Sequence, residues 1–169
     1  ERRLINICEK EWLRDIIIFA IETGLRQGEI LMLTWENICL DHQPPFIHLI
    51  REKSHLVMDY PLVYERALRI LHRLAPLNEG KNGHIFKDED GKAIKRETLV
   101  YWFRKALKKA GIENLCFNDL RRTFHSRKCY LSYPRNLLEH LMGHKLPELI
   151  SRYLVFDVQK MAEQIRGLE

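Results

Sequence analysis

The sequence predicts an α+β fold, mostly α-helical with a small antiparallel three-stranded sheet. Three observations point there. Most of the chain carries apolar residues at helical spacing, in segments that stop at glycines. Two short runs, "PPFIHLI" and "LVMDYPL", alternate apolar and polar residues across "REKSH", as the strands of a hairpin do. The order of elements, helices first, strands together, then helices again, fits an α-rich α+β domain.

The elements follow in order. "EWLRDIIIFAIETG" is apolar nearly all round and reads as a buried helix ending at Gly24. "RQGEILML" resumes as a short helix, and "TWENICL" reads as the first strand. After the hairpin, "VYERALRILHRLA" forms a helix, followed by the Pro-, Gly- and Asn-rich loop "PLNEGKNGH", too short for a domain linker. The next helix runs from near Arg96 to Ala110. Leu99, Val100, Phe103, Leu107 and Ala110 form its buried stripe, and Gly111 closes it. "NDLRRTFHSRKCYL" begins at Asn118, a suitable N-cap. Pro134 and Pro147 each stand where a first helical turn begins, opening "PRNLLEHLMGH" and "PELISRYL". A last amphipathic segment, "DVQKMAEQIRGL", follows.

The 169 residues suit one compact domain, and 46% apolar with 30% charged residues is the balance of a globular protein. No apolar run reaches the roughly 18 residues of a membrane span. The start, "ERRLINICEK", lacks the apolar centre of a signal peptide and reads as the middle of a longer chain. Cys8, Cys39, Cys116 and Cys129 lie far apart, with neither zinc spacing nor a disulfide framework, so a reducing cytosol is expected. The net charge is +5, concentrated between Lys92 and Lys128, where eleven Lys and Arg face three acids. Such a patch suits backbone phosphates; the plainer reading is a solvated basic face.

Several chemistries are set aside. "GLRQGE" has two glycines at the wrong spacing for a phosphate loop. His140 and His144 stand four apart, but the carboxylate a zinc protease needs is missing and Gly143 marks the helix end, so no metal site is expected. Arg26, Lys53, Arg121, Arg122, His144 and Tyr153 remain, each with an ordinary explanation. Arg26 caps a helix, Lys53 is a turn residue, and Arg121 pairs with a buried acid such as Glu29. Leu149, Ile150, Tyr153 and Leu154 share one helical face, so the segment alone makes Tyr153 a core aromatic.

Together, the segments "TGLRQGEILMLTW", Lys53 eight residues before "PL", "DLRRTF", "MGH" and a tyrosine nine residues beyond that histidine resemble the catalytic domain of the tyrosine recombinases, or phage integrases. The motifs stand in that family's order and spacing from Thr23 to Tyr153. The resemblance implies a single catalytic domain over residues 1–169, without the family's usual N-terminal DNA-binding domain, acting in the bacterial cytosol or nucleoid, or as a phage protein in its host. It implies DNA strand cleavage and rejoining through a 3′-phosphotyrosine, with no metal or nucleotide cofactor. Tyr153 is then the nucleophile, Arg26 and Arg121 hold the phosphate, Lys53 is the general acid for the 5′-oxygen, and His144 donates a hydrogen bond to the phosphate. Glu29, one turn after Arg26, orients the arginine pair. Asn118 stands where the family usually has a histidine that helps accept the phenol proton; an amide holds a hydrogen bond there but takes up no proton near neutral pH. The expected partners are double-stranded DNA, reached through Lys53, Lys95, Arg96, Arg104, Lys105 and Arg122, and further copies of the protein in a tetrameric synapse. The tail resembles the segment that such enzymes dock onto a neighbouring subunit and is expected to fold back in an isolated domain. The competing reading is a catalytically impaired member that only binds DNA.

Overall fold

A computed structural model describes residues 1–51, 56–75, 83–144 and 156–168. Among these, eight α-helices surround one three-stranded sheet. α1 (Arg2–Ile7), α2 (Glu11–Thr23) and α3 (Gln27–Met32) precede a 3₁₀ turn at Trp35–Asn37 and the strands β1 (Ile38–Cys39), β2 (Phe46–Arg51) and β3 (Leu56–Pro61). Then come α4 (Glu65–Leu74), α5 (Arg96–Ala110), α6 (Asn118–Tyr130), α7 (Arg135–Leu141) and α8 (Val158–Arg166).

The buried helix predicted at residues 11–24 is the hub. Ile16, Ile17 and Phe19 of α2 have no solvent exposure, and the helix packs against both α4 and α6. Each such side chain contributes about 1.5–3 kcal/mol of apolar burial. Gly24 ends α2 in the left-handed region at φ 63°. A Cβ there would stand 2.7 Å from Phe124 Cγ, so the missing side chain also sets how closely α6 approaches.

The sheet is antiparallel in the order β1-β2-β3, with Ile38 opposite Ile47 and Leu49 opposite Met58. Strand alternation turns Ile47, Leu49 and Arg51 inward and His48 and Ile50 outward. Arg51 therefore enters the interior by the same parity that buries its apolar neighbours. α8 packs onto β3 of its own chain, burying Met161, Ala162 and Ile165. No described helix is long and apolar enough to cross a membrane.

Three local expectations are corrected. "TWENICL" is mostly a 3₁₀ turn, because Asn37 Oδ1 accepts the Thr34 N–H at 3.0 Å and winds the chain; only Ile38 and Cys39 pair as strand. Asn118 is already helical rather than the cap. The winding starts earlier, with Asp119 N–H bonded to Cys116 O at 3.0 Å, and Asp119 Oδ2 reaches back to the Cys116 N–H at 2.7 Å. Pro134 occupies the cap position of α7, not its first turn. α1 was not foreseen. Residues 147–154, read as a helix, and most of the loop "PLNEGKNGH" lie outside the described residues.

Candidate active site

The site forms where α2, β2 and α7 end beside α6. A helix leaves its last four carbonyls without partners inside the helix. At α7 these belong to Glu139, His140, Leu141 and Met142. Gly143 takes the left-handed conformation at φ 63°, which lets its N–H reach His140 O at 2.8 Å and the His144 N–H reach Glu139 O at 2.9 Å. This is a Schellman turn, and it explains "MGH" physically.

Two guanidinium groups take what the turn leaves. Arg51 Nη2 donates to Leu141 O at 3.0 Å and Nη1 reaches His140 O at 3.5 Å. Arg121 donates through Nη2 to Met142 O and through Nη1 to Gly24 O at 2.5 Å. Positive charge at the C-terminal end of a helix is favourable. A Cβ at Gly143 would overlap Arg51, standing 2.7 Å from Cζ. Glycine is thus required twice here, once for φ and once for the arginine.

Glu29 joins the arginines. Its Oε2 accepts the Arg26 N–H at 2.8 Å, and its Oε1 accepts Arg26 Nη1 at 2.8 Å. Arg51 Nε lies 3.2 Å from the same Oε1, as an ion pair rather than an aligned hydrogen bond. The earlier alternative of an Arg121–Glu29 pair is therefore not what forms: Arg51 takes that acid, and Arg121 turns to carbonyls. The Arg51 side chain is fully buried, whereas that of Arg26 is 36% exposed.

Three guanidinium groups around one carboxylate leave a local positive surplus. Burial foremost, then the charges of Arg26 and Arg51, push Arg121 down to about 10, with Glu29 opposing. Burial also lowers Arg51, against the pull of Glu29. Burial by itself raises the Glu29 carboxyl, but Arg51 and then Arg26 outweigh it and hold the group below its ordinary value. A cluster with this imbalance favours an added anion.

His144 follows the turn with an exposed ring whose Nδ1 bonds the Glu139 carboxylate. That contact fixes the ring's orientation and leaves Nε2 as its second polar atom.

The structure thus gathers Arg26, Glu29 and Arg121, with His144 two residues beyond the Met142 carbonyl that Arg121 holds. Asn118 is exposed at the start of α6, one turn before Arg121. Lys53 and Tyr153 lie outside the described residues. Of the expected DNA contacts, Lys95, Arg96 and Arg104 are exposed on α5 and its cap. Lys105 is engaged within the chain, 2.9 Å from Glu9 and over the Trp102 ring. Arg122 is 2.8 Å from Asp119 but points largely into solvent. Arg51 and Glu139 were missed. Arg51 was detectable as a charge on the inward parity of β2; Glu139 had no comparable signal.

The description "Phage integrase family" matches residues 1–160. The chain belongs to the phage integrase family. It is 29% identical to the integrase of Salmonella phage P22, over 99% of this chain and 45% of that protein. It is 34% identical to a shufflon-specific DNA recombinase of Escherichia coli, over 90% of this chain and 38% of that one. It therefore spans less than half the length of these curated relatives. The fold matches the lambda integrase catalytic core with a TM-score of 0.71 and 19% identity, covering 85% of this chain and 91% of the core. A lambda integrase tetramer bound to a Holliday junction matches equally well, TM-score 0.71 at 19% identity, over 94% of this chain and 46% of that one.

Proposed function

We propose that this chain is the catalytic domain of a site-specific DNA recombinase that breaks and rejoins strands through a 3′-phosphotyrosine. The observation that carries the reading is the Arg26–Glu29–Arg121 cluster beside the turn that presents His144. Strand exchange has to keep the energy of the phosphodiester, and a covalent ester on the enzyme does so. As the Tyr153 oxygen attacks phosphorus, the phenol gives up its proton to solvent water, and negative charge builds on the non-bridging oxygens. Arg26 and Arg121 stabilise that charge with planar donor forks. The P–O5′ bond breaks, and Lys53 supplies the proton that makes the leaving oxygen a hydroxyl. A 5′-hydroxyl from a partner strand reverses the step. Glu29 orients Arg26 and Arg51, and the Glu139 carboxylate holds His144 so that Nε2 is available to the phosphate.

The partners in this reading are duplex DNA and further copies of the protein in a tetramer, and the setting is the bacterial cytoplasm. The P22 and shufflon relatives and the junction-bound lambda integrase support it. Lys95, Arg96, Arg104 and Arg122 contact the backbone, so binding is strongly salt-dependent. Lys105 contributes only where DNA displaces Glu9.

A nicked duplex that traps the cleaved strand tests the reading. The full chain forms a covalent, protease-sensitive adduct, and Tyr153→Phe forms none. If neither protein forms an adduct while both bind DNA, the chain is a binding module. Asn118→His accelerates adduct formation by restoring a proton acceptor; an unchanged or slower rate removes that role from position 118.

A further inference from the structure

We propose that Arg51 is a positioning residue for strand cleavage, setting Arg26 through Glu29 and Arg121 through the α7 turn; this rests on the reading of that cluster as the phosphate site. Both forks that hold the phosphate then take their place from one buried guanidinium.

Stability alone gives no reason for a charge at this position. The Arg51 side chain is fully buried, on the inward parity of β2. Taking a guanidinium out of water is costly, and well-packed apolar side chains in place of a buried ion pair are often as stable or more so. Ile47 and Leu49 show what the same parity holds where only packing is needed. The fork makes contacts that an apolar chain cannot. Its Nε lies 3.2 Å from Glu29 Oε1, the oxygen that also accepts Arg26 Nη1 at 2.8 Å. Its Nη2 donates to Leu141 O at 3.0 Å, and Nη1 reaches His140 O at 3.5 Å. The next carbonyl of the turn, Met142 O, accepts from Arg121. A planar guanidinium fixes these directions relative to one another. Glu29 and the turn, and through them Arg26 and Arg121, are therefore held in one register.

Arg51 also decides which partners Arg121 takes. The Glu29 charge acts on Arg121 across the cluster. Without Arg51 the acid would be left to Arg26 and Arg121, and Arg121 would be drawn from the Gly24 and Met142 carbonyls towards it. With Arg51 on Glu29, Arg121 stays on those carbonyls, and its remaining N–H groups are the ones a phosphate oxygen can take. A shift of about 1 Å in either phosphate-holding arginine costs on the order of 10²-fold in rate.

The experiment measures covalent adduct formation by the full chain on the nicked duplex across a range of DNA concentrations, with the folding of each variant checked by circular dichroism. Arg51→Met keeps an unbranched side chain without charge. It is expected to lower the maximal rate by about 100-fold with the half-saturating DNA concentration unchanged. Arg51→Lys keeps the charge but not the fork and loses about 10-fold. Because Arg51 acts partly through Glu29, the loss in Arg51→Met/Glu29→Gln is smaller than the product of the two single losses. Losses that multiply would overturn the link through Glu29. A wild-type maximal rate in Arg51→Lys overturns the positioning role, and decides alone should Arg51→Met fail to fold. A loss carried by half-saturation at unchanged maximal rate would make Arg51 a DNA-binding determinant instead. If Tyr153→Phe abolishes the adduct while both Arg51 variants keep the wild-type rate, the positioning role is wrong and the recombinase reading stands. If the wild type forms no adduct, or Tyr153→Phe still forms one, the recombinase reading fails and inorganic phosphate decides the role of Arg51. In protein carrying isotope-labelled arginine, the Nε–H resonances of Arg26 and Arg121 are assigned by their loss in Arg26→Lys and Arg121→Lys. Phosphate shifts both together in the wild type, and in Arg51→Met only at about 10-fold higher concentration. Identical titrations, or no shift in the wild type, refute the positioning role.

Discussion

Two helices of this protein end in the same way and to different purposes. α5 closes at Gly111 with φ 60°, its N–H bonded to Lys108 O at 3.2 Å and the Ile112 N–H to Leu107 O at 3.0 Å. α7 closes at Gly143 with φ 63° and the same pair of bonds. Around Gly111 a Cβ would meet nothing within 4 Å, and its carbonyl accepts from an exposed Arg3 at 3.3 Å. Around Gly143 the space of a side chain is filled by Arg51. A backbone device that merely stops one helix serves, in the other, as a socket for a buried charge. The difference comes from residues remote in sequence: Arg51 and Arg121 reach α7, and among the described residues no comparable pair reaches the end of α5.

The comparison breaks most visibly at Gly143. Gly143→Ala expels the Arg51 guanidinium from its pair with Glu29, and disrupting a buried ion pair costs about 3–5 kcal/mol. Denaturant unfolding measures this, and adduct formation is lost with it. In an Arg51→Ala background the same glycine substitution costs only the backbone strain of about 1–2 kcal/mol. Equal costs in both backgrounds would show that the socket is not what Gly143 provides.

Gly24→Ala comes next. It meets left-handed strain and the Phe124 ring together, and overpacking of this kind costs about 1–3 kcal/mol beyond the strain. Phe124→Leu partly relieves it, as a double-mutant cycle by chemical denaturation would record.

A smaller effect follows pH. Burial, then the Arg51 charge, pushes His140 down to about 4 from the ordinary 6.5. As pH falls below 6.5 the unfolded chain takes up this proton first, so stability declines between pH 6.5 and about 4 and is complete above that window. His140→Phe removes this part of the pH dependence. A stability profile between pH 4 and 7 identical to wild type would assign it to other groups.

The smallest expected effect is at Gly111. Gly111→Ala carries left-handed strain alone, about 1–2 kcal/mol, and leaves the rate of adduct formation unchanged. A rate loss like that of Gly143→Ala would erase the distinction between the two turns.

The same contrast separates what was legible in the sequence from what was not. α2 and α5 could be read because apolar periodicity and a terminal glycine are local signals. Arg26, Glu29, Arg121 and His144 could be placed in one site only through the family's motif order, and the structure gives their spacing a cause in the ends of α2 and α7. What escaped depends on long-range partners. Lys105 resembles any exposed lysine until Glu9, 96 residues away, takes its charge. Arg51 looked like a turn residue beside Lys53 because its partners lie on α3 and α7. Asn118 is not the cap because the cap position falls one residue earlier, at Phe117, while the Asp119 carboxylate holds the Cys116 N–H.

Arg51 is also the last residue of β2, paired in register with Leu56 at the start of β3. Its rigid fork makes strand and helix end a single lever arm. A shift of this strand end is therefore passed to the α7 turn through the two guanidinium contacts, so the pairing of β2 with β3 and the setting of the turn before His144 share one mechanical linkage.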